Sequence, residues 1–208
     1  MESLDFARPR LPAPEDVAAS AHELGMRAGE SECAEIAALI ATASRAAPAA
    51  RIAAATTVRR EHPFAFSLGP HEPLITGVID LLAAEADGGH VVLDYKSDRV
   101  GADVDLGELV EGDYAIQRLL YALAVLREGA LQVEVVHWFL ERPEDLAAAR
   151  YTAADRPALE EQLAMRLARA REHPFAVSSR PHRGLCLTCP GRAGLCSWGE
   201  AETLRESP

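Results

Sequence analysis

The chain has 208 residues, of which 49% are apolar, and a formal net charge of −11. This length suits one domain, with or without appendages, and the apolar fraction is sufficient for a sizeable core. The negative charge argues against a free-standing protein whose main task is to wrap nucleic acid, because such proteins usually present a basic surface. It does not exclude a catalytic module that another protein brings to nucleic acid.

Several other classes are unsupported by the sequence. No apolar run approaches the roughly 20 residues of a membrane span, and the N-terminus lacks the order of regions that marks a signal peptide. We therefore expect a cytoplasmic protein with no membrane partner. The sequence also lacks a phosphate-binding glycine loop and a G-x-S-x-G elbow, so nucleotide binding and serine hydrolase chemistry are unsupported.

The first 56 residues are alanine-rich and predict packing helices. Helical spacing of apolar residues runs from about 16 to 24 and again from about 31 to 44. His22 and Cys33 lie here, and neither has nearby partners of the kind that a metal site needs. We expect both to be ordinary buried or surface residues.

Three strands are predicted between residues 57 and 96. Phe64, Phe66 and Leu68 alternate after Pro63, with Glu61 near the start of this first strand. Apolar runs follow at 74–82 and 91–96, joined by a turn-rich Ala-Asp-Gly-Gly. Short connections of this kind predict an antiparallel meander.

The second and third strands carry the polar residues that are most informative. Asp94 and Lys96 are two residues apart, so they share one face of a strand, and the hairpin can bring Asp80 beside them. Lys96 is the only lysine of the chain, where every other strong base is arginine. This choice suggests a need for a compact ammonium rather than a planar guanidinium, although a single lysine is also compatible with chance.

A helix from about 112 to 127 follows an acidic segment that we expect to be a mobile loop. Tyr114, Gln117 and Tyr121 form a polar stripe on this helix at spacings of three and four. The stripe is either a half-buried polar edge or a row of hydrogen-bonding groups directed at the aspartates. A strand at 131–140, with His137 as a core or edge residue, and a charged helix at 155–172 complete the pattern.

Two carboxylates that converge from neighbouring strands favour Mg²⁺ or Mn²⁺, which take few protein carboxylates and retain several waters. The backbone carbonyl of Tyr95 could supply a further oxygen. A metal held in this way can activate water and stabilise the charge that develops in an in-line displacement. Lys96 would orient or deprotonate the attacking water, or neutralise the phosphate oxygens as a point charge. The set therefore suits phosphodiester hydrolysis.

The sequence resembles the RecB-type nuclease domains of the PD-(D/E)XK superfamily, which occur at the C-terminus of helicase-nuclease subunits. The resemblance covers about residues 57–200, and its matching segments are Glu61-His-Pro-Phe, Gly77-Val-Ile-Asp80, Asp94-Tyr-Lys96-Ser and Gln117-x-x-x-Tyr121. It implies an α/β, restriction-endonuclease-like core: an antiparallel meander, a helix, a further strand and flanking helices.

The resemblance also implies roles for these residues. Asp80 and Asp94 would be metal ligands, Lys96 the catalytic lysine, and Gln117 with Tyr121 the pair that positions the DNA backbone. Glu61 would support them. DNA and a linked helicase part are the implied partners.

One departure concerns a metal-binding histidine that these domains usually carry upstream, in a motif of the kind G-x-x-x-H-x-x-L-E. Here the chain opens Met1-Glu2-Ser-Leu, which looks like the end of that motif, and His22 does not match it. We therefore expect a truncated N-terminal helical segment at 1–56, a nuclease core at 57–177 and a cysteine-containing tail at 178–208.

The tail contains three of the four cysteines, which favours a metal site or reduced thiols over a disulfide framework. Cys186-x-x-Cys189 is a chelating pair, and Cys196 follows. Some relatives of the family hold a [4Fe–4S] cluster with one upstream cysteine, a role that Cys33 could take. Zinc with His182 as fourth ligand is an equal alternative, and unmetallated thiols are a third.

The sequence thus favours a Mg²⁺-dependent DNA exonuclease module of a helicase-nuclease that acts in double-strand break repair and recombination. The missing histidine motif keeps a second hypothesis open, a catalytically impaired nuclease fold that serves as a DNA-end or partner-docking element. A metal-binding structural protein organised by the tail is a third and weaker one.

Overall fold

The computed structural model describes residues 4–172, 177–192 and 194–205. The chain divides into two compact units, Met1–Leu163 and Ala164–Pro208. The expected division at residues 56 and 177 follows sequence motifs and stays a prediction. In the described part of the chain, no helix combines the length and apolar character that a membrane crossing needs.

A mixed five-stranded sheet forms the centre of the first unit. Its strands follow one another in the order of the sequence: β1 Thr57–Phe66, β2 Ile75–Ala84, β3 His90–Lys96, β4 Gln132–Phe139 and β5 Ala147–Thr152. All neighbouring pairs are antiparallel except β3 and β4, which are parallel. The predicted α/β fold with an antiparallel meander and a further strand is confirmed, and the further strand runs parallel to β3.

Helices precede, interrupt and follow the strands. Their bounds are α1 Pro14–Glu23, α2 Glu30–Ala43, α3 Ala47–Ala53, α4 Leu106–Leu109, α5 Ala115–Arg127, α6 Arg156–Glu172, α7 Arg183–Cys186 and α8 Glu200–Thr203. A π-helical turn, Val110–Tyr114, connects α4 to α5. The segment after β3 is therefore partly helical, where the sequence predicted only a loop, because Asp105 Oδ1 caps α4 by accepting from the backbone N–H groups of Gly107 and Glu108.

The two faces of the sheet are covered by different elements. On one face, small residues of α2, α3 and their connection pack against the central strands in a core that includes Ala43, Ala46, Ala49, Ile52, Leu81, Ala83, Val91, Leu93, Val136 and Trp138. Side chains of neighbouring strand residues alternate between the faces. Since Leu93 faces this core, Asp94 faces the opposite side, where α5 lies.

The sequence patterns also missed α3 and β5. The seven residues of α3 begin Ala-Pro-Ala and are too few to show a helical period, although Pro48 suits a first turn. The strand β5 begins Ala-Ala-Ala, a composition that favours helix, yet its backbone pairs with β4 from Gln132↔Thr152 to His137↔Ala147. Pairing with an existing strand outweighs local propensity at the edge of a sheet.

Candidate active site

The end of β3 places a carboxylate and an ammonium together under helix α5. Asp94 and Lys96 are 2% and 9% exposed, and Lys96 Nζ lies 2.6 Å from Asp94 Oδ2. The same ammonium donates to Gln117 Oε1 at 2.8 Å. A lysine is rarely buried without such partners, so this arrangement is specific rather than incidental.

The Gln117 amide connects the two charged groups of β3. Its Oε1 accepts from Lys96, while its Nε2 donates to Asp94 Oδ1 at 3.1 Å. Nε2 also donates to the Tyr121 hydroxyl at 3.0 Å, one turn further along the helix. This hydroxyl lies 3.1 Å from the carbonyl oxygen of Val78 and 3.3 Å from Asp94 Oδ1. The i, i+4 spacing of Gln117 and Tyr121 thus directs both side chains at Asp94.

Burial moves the pKa of the Tyr121 hydroxyl further above neutral pH. Burial is the main reason that the pKa of Tyr121 is raised well above its ordinary range, and the negative charges of Asp94 and then Asp80 raise it further. The hydroxyl therefore remains a hydrogen-bond donor at neutral pH. Phe64 packs edge-on against the Tyr121 ring, and Gly77 makes room for Phe64, because a Cβ at Gly77 would lie 2.5 Å from the phenylalanine ring.

Asp80 approaches the site where the pairing of β2 with β3 ends. The ladder runs only to Leu81↔Leu93, one residue before Asp80 and Asp94. Beyond it the backbone N–H of Tyr95 donates to Asp80 Oδ2 at 2.9 Å. The carboxylate thus takes the place of a backbone acceptor on the neighbouring strand, which fixes its position beside the end of β3.

The ionisable groups around Asp94 carry more negative charge than positive charge. Asp94 has its pKa raised chiefly by burial and further by the charge of Asp80, although Lys96 acts in the opposite direction. Two carboxylates face one ammonium, which lies 2.6 Å from Asp94 Oδ2. The excess negative charge fits a divalent cation, which would neutralise it.

Side chains of the described residues do not supply a complete set of metal ligands at this site. Among residues 4–172, 177–192 and 194–205, no group of three or more histidine, cysteine, aspartate or glutamate side chains could hold a metal. Hard divalent cations do not require such a group, since Mg²⁺ often takes one or two carboxylates and completes its shell with water and substrate phosphates. The proposed contribution of the Tyr95 carbonyl stays a prediction.

Glu61 lies inside β1 rather than near its start as expected. Its neighbours pair as Arg60↔Leu81 and His62↔Ile79, which places Glu61 opposite Asp80. Glu61 has a φ of 46°, a left-handed conformation that non-glycine residues rarely adopt. Its side chain is exposed. Its supporting role stays a prediction.

The cysteines lie in different parts of the fold. Cys33 is buried in α2 of the first unit, whereas Cys186, Cys189 and Cys196 belong to the second unit. Cys186 ends the short helix α7, for which His182 is the N-terminal flanking residue. All four thiols are free of disulfide bonds. The iron–sulfur and zinc assignments stay predictions.

Two aromatic residues near Lys96 were not among the predicted site residues. The Lys96 ammonium lies 4.0 Å from the centroid of the Tyr114 ring. His137 is fully buried on β4 and pairs in register with Asp94. Burial first, and then the charges of Lys96 and Arg118, lower the pKa of His137 to about 4. The polar stripe of α5 was the sequence signal for Tyr114, while His137 carried none.

Two curated proteins match part of this chain in sequence. An ATP-dependent helicase/nuclease subunit from Lysinibacillus sphaericus (strain C3-41) is 34% identical over 92 residues, covering 41% of this chain and 7% of the relative. The protein of the same name from Desulforudis audaxviator (strain MP104C) is 40% identical over 103 residues, covering 43% and 8%. The matches thus span less than a tenth of the length of these curated relatives.

A solved structure, that of “Putative exonuclease” from Eubacterium rectale, aligns with a TM-score of 0.44 and 12% identity over 83% of this chain and 72% of that chain. The family model described as PD-(D/E)XK nuclease superfamily matches residues 4–196, which is most of the sequence. Because that match includes the sheet, α5 and the cluster around Asp94, the chain belongs to the PD-(D/E)XK nuclease superfamily.

Proposed function

We propose that this chain is a metal-dependent nuclease module that cleaves DNA, and that it works as an exonuclease within a helicase-nuclease for double-strand break repair and recombination. The observation that carries the proposal is the buried network in which Gln117 bridges Asp94 and Lys96 beside Asp80. The energetic cost of burying these charges suits a site that binds and orients a reacting group.

Asp80 and Asp94 would hold Mg²⁺, or Mn²⁺ in its place. The ion would supply a water of lowered pKa and polarise the scissile phosphate. Lys96 would donate to the phosphate or to the attacking water, as a point charge within a site that excludes solvent. Gln117 would keep the ammonium and the Asp94 carboxylate in one orientation, since each of its polar atoms contacts one of them.

The partner proposed for this module is a helicase part that delivers the DNA. The two curated relatives are named as helicase/nuclease subunits, and the matches cover 7% and 8% of their lengths. A formal charge of −11 supports the same idea, because an acidic module needs another surface to hold the phosphate backbone. Weak DNA affinity of the isolated chain is expected at physiological salt.

The test is cleavage of end-labelled linear duplex and single-stranded DNA by the 208-residue chain, with Mg²⁺, Mn²⁺ or EDTA. We expect cleavage that requires the metal and that is lost in Asp94→Asn. The matched control is Asp145→Asn, which also removes one ion-paired carboxylate, in this case the partner of Arg142, but should leave cleavage unchanged. Equal activity of wild type and Asp94→Asn would overturn the proposal.

A chain that binds DNA ends without cleaving them would support the docking function instead. Fluorescence anisotropy with blunt, overhanging and circular DNA distinguishes that outcome.

For the second unit, we propose that Cys186, Cys189 and Cys196 bind zinc or an iron–sulfur cluster. Metal analysis and visible absorbance of anaerobically purified protein would distinguish these, and absence of both metals would show that the thiols are unmetallated.

A further inference from the structure

The Lys96 ammonium has an aromatic ring against it in addition to its two polar contacts. Asp94 Oδ2 lies 2.6 Å away and Gln117 Oε1 2.8 Å away, and the centroid of the Tyr114 ring is at 4.0 Å. The negative face of an aromatic ring attracts a cation, and this attraction is stronger where water is excluded. With only 9% of Lys96 exposed, the ring forms one side of the space that holds the ammonium.

Tyr114 is itself fixed by three separate elements. It ends the π-helical turn before α5, and its hydroxyl donates to Asp98 Oδ2 at 3.1 Å, in the segment that follows β3. On β4, the ring of His137 lies 5.6 Å from the Tyr114 ring at an interplanar angle of 35°, and Phe139 contacts it edge-on. A π-helical turn often marks a functional position. Here it places Tyr114 where β4, the segment after β3 and α5 meet.

Tyr114 also packs partly against an apolar cluster of Leu106, Val110, Phe139 and Ala147. A purely structural role would explain this packing. It would not explain why the Tyr114 ring lies over the ammonium of Lys96. Among the described residues of the apolar cluster, Tyr114 alone makes this contact. The two roles make different predictions, because loss of packing lowers stability, whereas loss of the ring contact frees the lysine.

We infer that Tyr114 is a positioning residue for the nuclease reaction: its ring, supported by His137, confines the Lys96 ammonium to the side of Asp94 and Gln117. The inference rests on the proposed nuclease function for its catalytic consequence. Without the ring, the flexible side chain of lysine can turn toward solvent, and misplacement of a catalytic group by about 1 Å can lower the rate by about 100-fold. Binding of DNA should not depend on this contact.

Two substitutions separate the contributions of Tyr114. Tyr114→Phe keeps the ring and loses the bond to Asp98, and Tyr114→Leu removes the ring. With Mg²⁺ and DNA, we expect kcat to fall about 10- to 100-fold in Tyr114→Leu at nearly unchanged KM. Tyr114→Phe should retain wild-type kcat within about threefold, which is the rescue expected of a ring contact.

The control for packing is Leu106→Ala. This substitution removes apolar volume from the same apolar cluster without removing the ring beside Lys96 or the rings that contact it. We expect a lower melting temperature and an unchanged kcat below it. A Tyr114→Leu variant with wild-type kcat, or with a raised KM instead of a lowered kcat, would overturn the inference. So would a Tyr114→Phe variant that is as slow as Tyr114→Leu.

A direct readout uses the fact that Lys96 is the only lysine of the chain. Protein labelled with [13Cε]lysine gives a single CH₂ε signal in NMR spectra. The ring of Tyr114 should shift its protons upfield in wild type and Tyr114→Phe, and the shift should disappear in Tyr114→Leu. A wild-type signal at the position of free lysine, unmoved by Tyr114→Leu, would show that the ring does not hold Lys96.

The spectrum also separates this inference from the proposed function. If the ring-dependent shift is present but no variant, including wild type, cleaves DNA, the positioning of Lys96 stands and the nuclease proposal fails. If DNA is cleaved and the shift is absent, the nuclease proposal stands and Tyr114 has no positioning role. Melting curves of each variant ensure that every comparison is made on folded protein.

Discussion

Two clusters of charged and polar residues lie at opposite ends of β3 and differ in the balance of their positive and negative charges. At the start of β3 and β4, Arg51 forms a bidentate ion pair with Glu85 at 2.7 and 2.8 Å and also pairs with Glu134, which Arg150 contacts at 3.0 Å. We call these four residues the Arg51 cluster. At the other end, Asp80, Asp94, Lys96, Gln117 and Tyr121 form the Asp94 cluster.

The pKa shifts of the carboxylates run in opposite directions at the two ends. Burial alone would raise the pKa of Glu134, but the hydrogen bonds and charges of Arg51 and Arg150 lower it below its usual value. For Asp94, burial outweighs Lys96 and the pKa is raised. Two arginines balance two glutamates in the Arg51 cluster, whereas one lysine faces two aspartates in the Asp94 cluster. The first arrangement stabilises the fold, and the second leaves charge available for a ligand.

The largest effect expected from this difference is on activity at Lys96. Replacing Lys96 by Arg should lower the cleavage rate by about 10³-fold or more, nearly as much as Lys96→Met. A planar guanidinium cannot occupy the space between Asp94, Gln117 and the Tyr114 ring that a compact ammonium fills. Single-turnover kinetics at saturating DNA and Mg²⁺ measure the rate. Substantial activity of Lys96→Arg would show that a positive charge alone is sufficient.

A smaller loss is expected where a residue acts through others. Gln117→Ala should reduce the cleavage rate by about 10- to 100-fold, because the groups that it orients remain present. Tyr121→Phe should lose less, since its ring and its packing against Phe64 remain. Arg51→Met, at the other end of the sheet, is the control and should leave kcat unchanged at temperatures where the protein is folded. A kcat effect of Arg51→Met would mean that the two clusters are coupled.

The pH dependence of stability should differ between the two ends. The pKa of His137 is lowered from 6.5 to about 4 in the folded state, so the unfolded chain binds the proton first and stability falls as the pH decreases from about 6.5 to about 4. Linkage gives a loss of about 2 kcal/mol between pH 8 and pH 5. Glu134 has a pKa below its ordinary 4.5, so its contribution is lost only at more acidic pH.

Urea unfolding of metal-free protein at pH 8 and pH 5 measures this difference. We expect His137→Gln to reduce the change in the free energy of unfolding between these two pH values, and Glu134→Gln to leave it as in wild type. An equal pH dependence in wild type and His137→Gln would show that the His137 ring is protonated in the folded protein at pH 5.

The smallest effect is expected when Arg51 is replaced by lysine, which is the reverse of Lys96→Arg. Arg51→Lys keeps the charge but loses the planar fork that binds Glu85 with two hydrogen bonds. Because these side chains are partly exposed, we expect a loss of about 1 kcal/mol in the free energy of unfolding, measured by urea titration at pH 7. A loss as large as that of Arg51→Met would show that the geometry of the fork, more than its charge, stabilises the cluster.

The central part of the site was predictable because its spacing is local. Residues two apart share a face of a strand, which joined Asp94 to Lys96, and residues four apart share a face of a helix, which joined Gln117 to Tyr121. The single lysine of the sequence marked the same position. These patterns do not depend on the path of the chain between the elements.

Contacts between distant segments could not be predicted in this way. Arg51 reaches Glu85 and Glu134, which are 34 and 83 positions away, and nothing in the sequence near Arg51 indicates either partner. The complete burial of His137 depends on the parallel pairing of β3 with β4 and on the helix above them. Likewise, the left-handed backbone of Glu61 appears only where β1 passes Asp80.

The sequence by itself therefore determined the family, through the resemblance of its motifs. It also determined the alternation of the strands and the grouping of Asp94 with Lys96 and of Gln117 with Tyr121, since these depend on short-range periodicity. The tertiary structure decided how these residues are joined: which atoms of Gln117 face Asp94 and Lys96, and which aromatic ring lies over the ammonium. Those contacts arise where a helix crosses the end of a sheet, and the geometry of that crossing is set by the packing of the whole core.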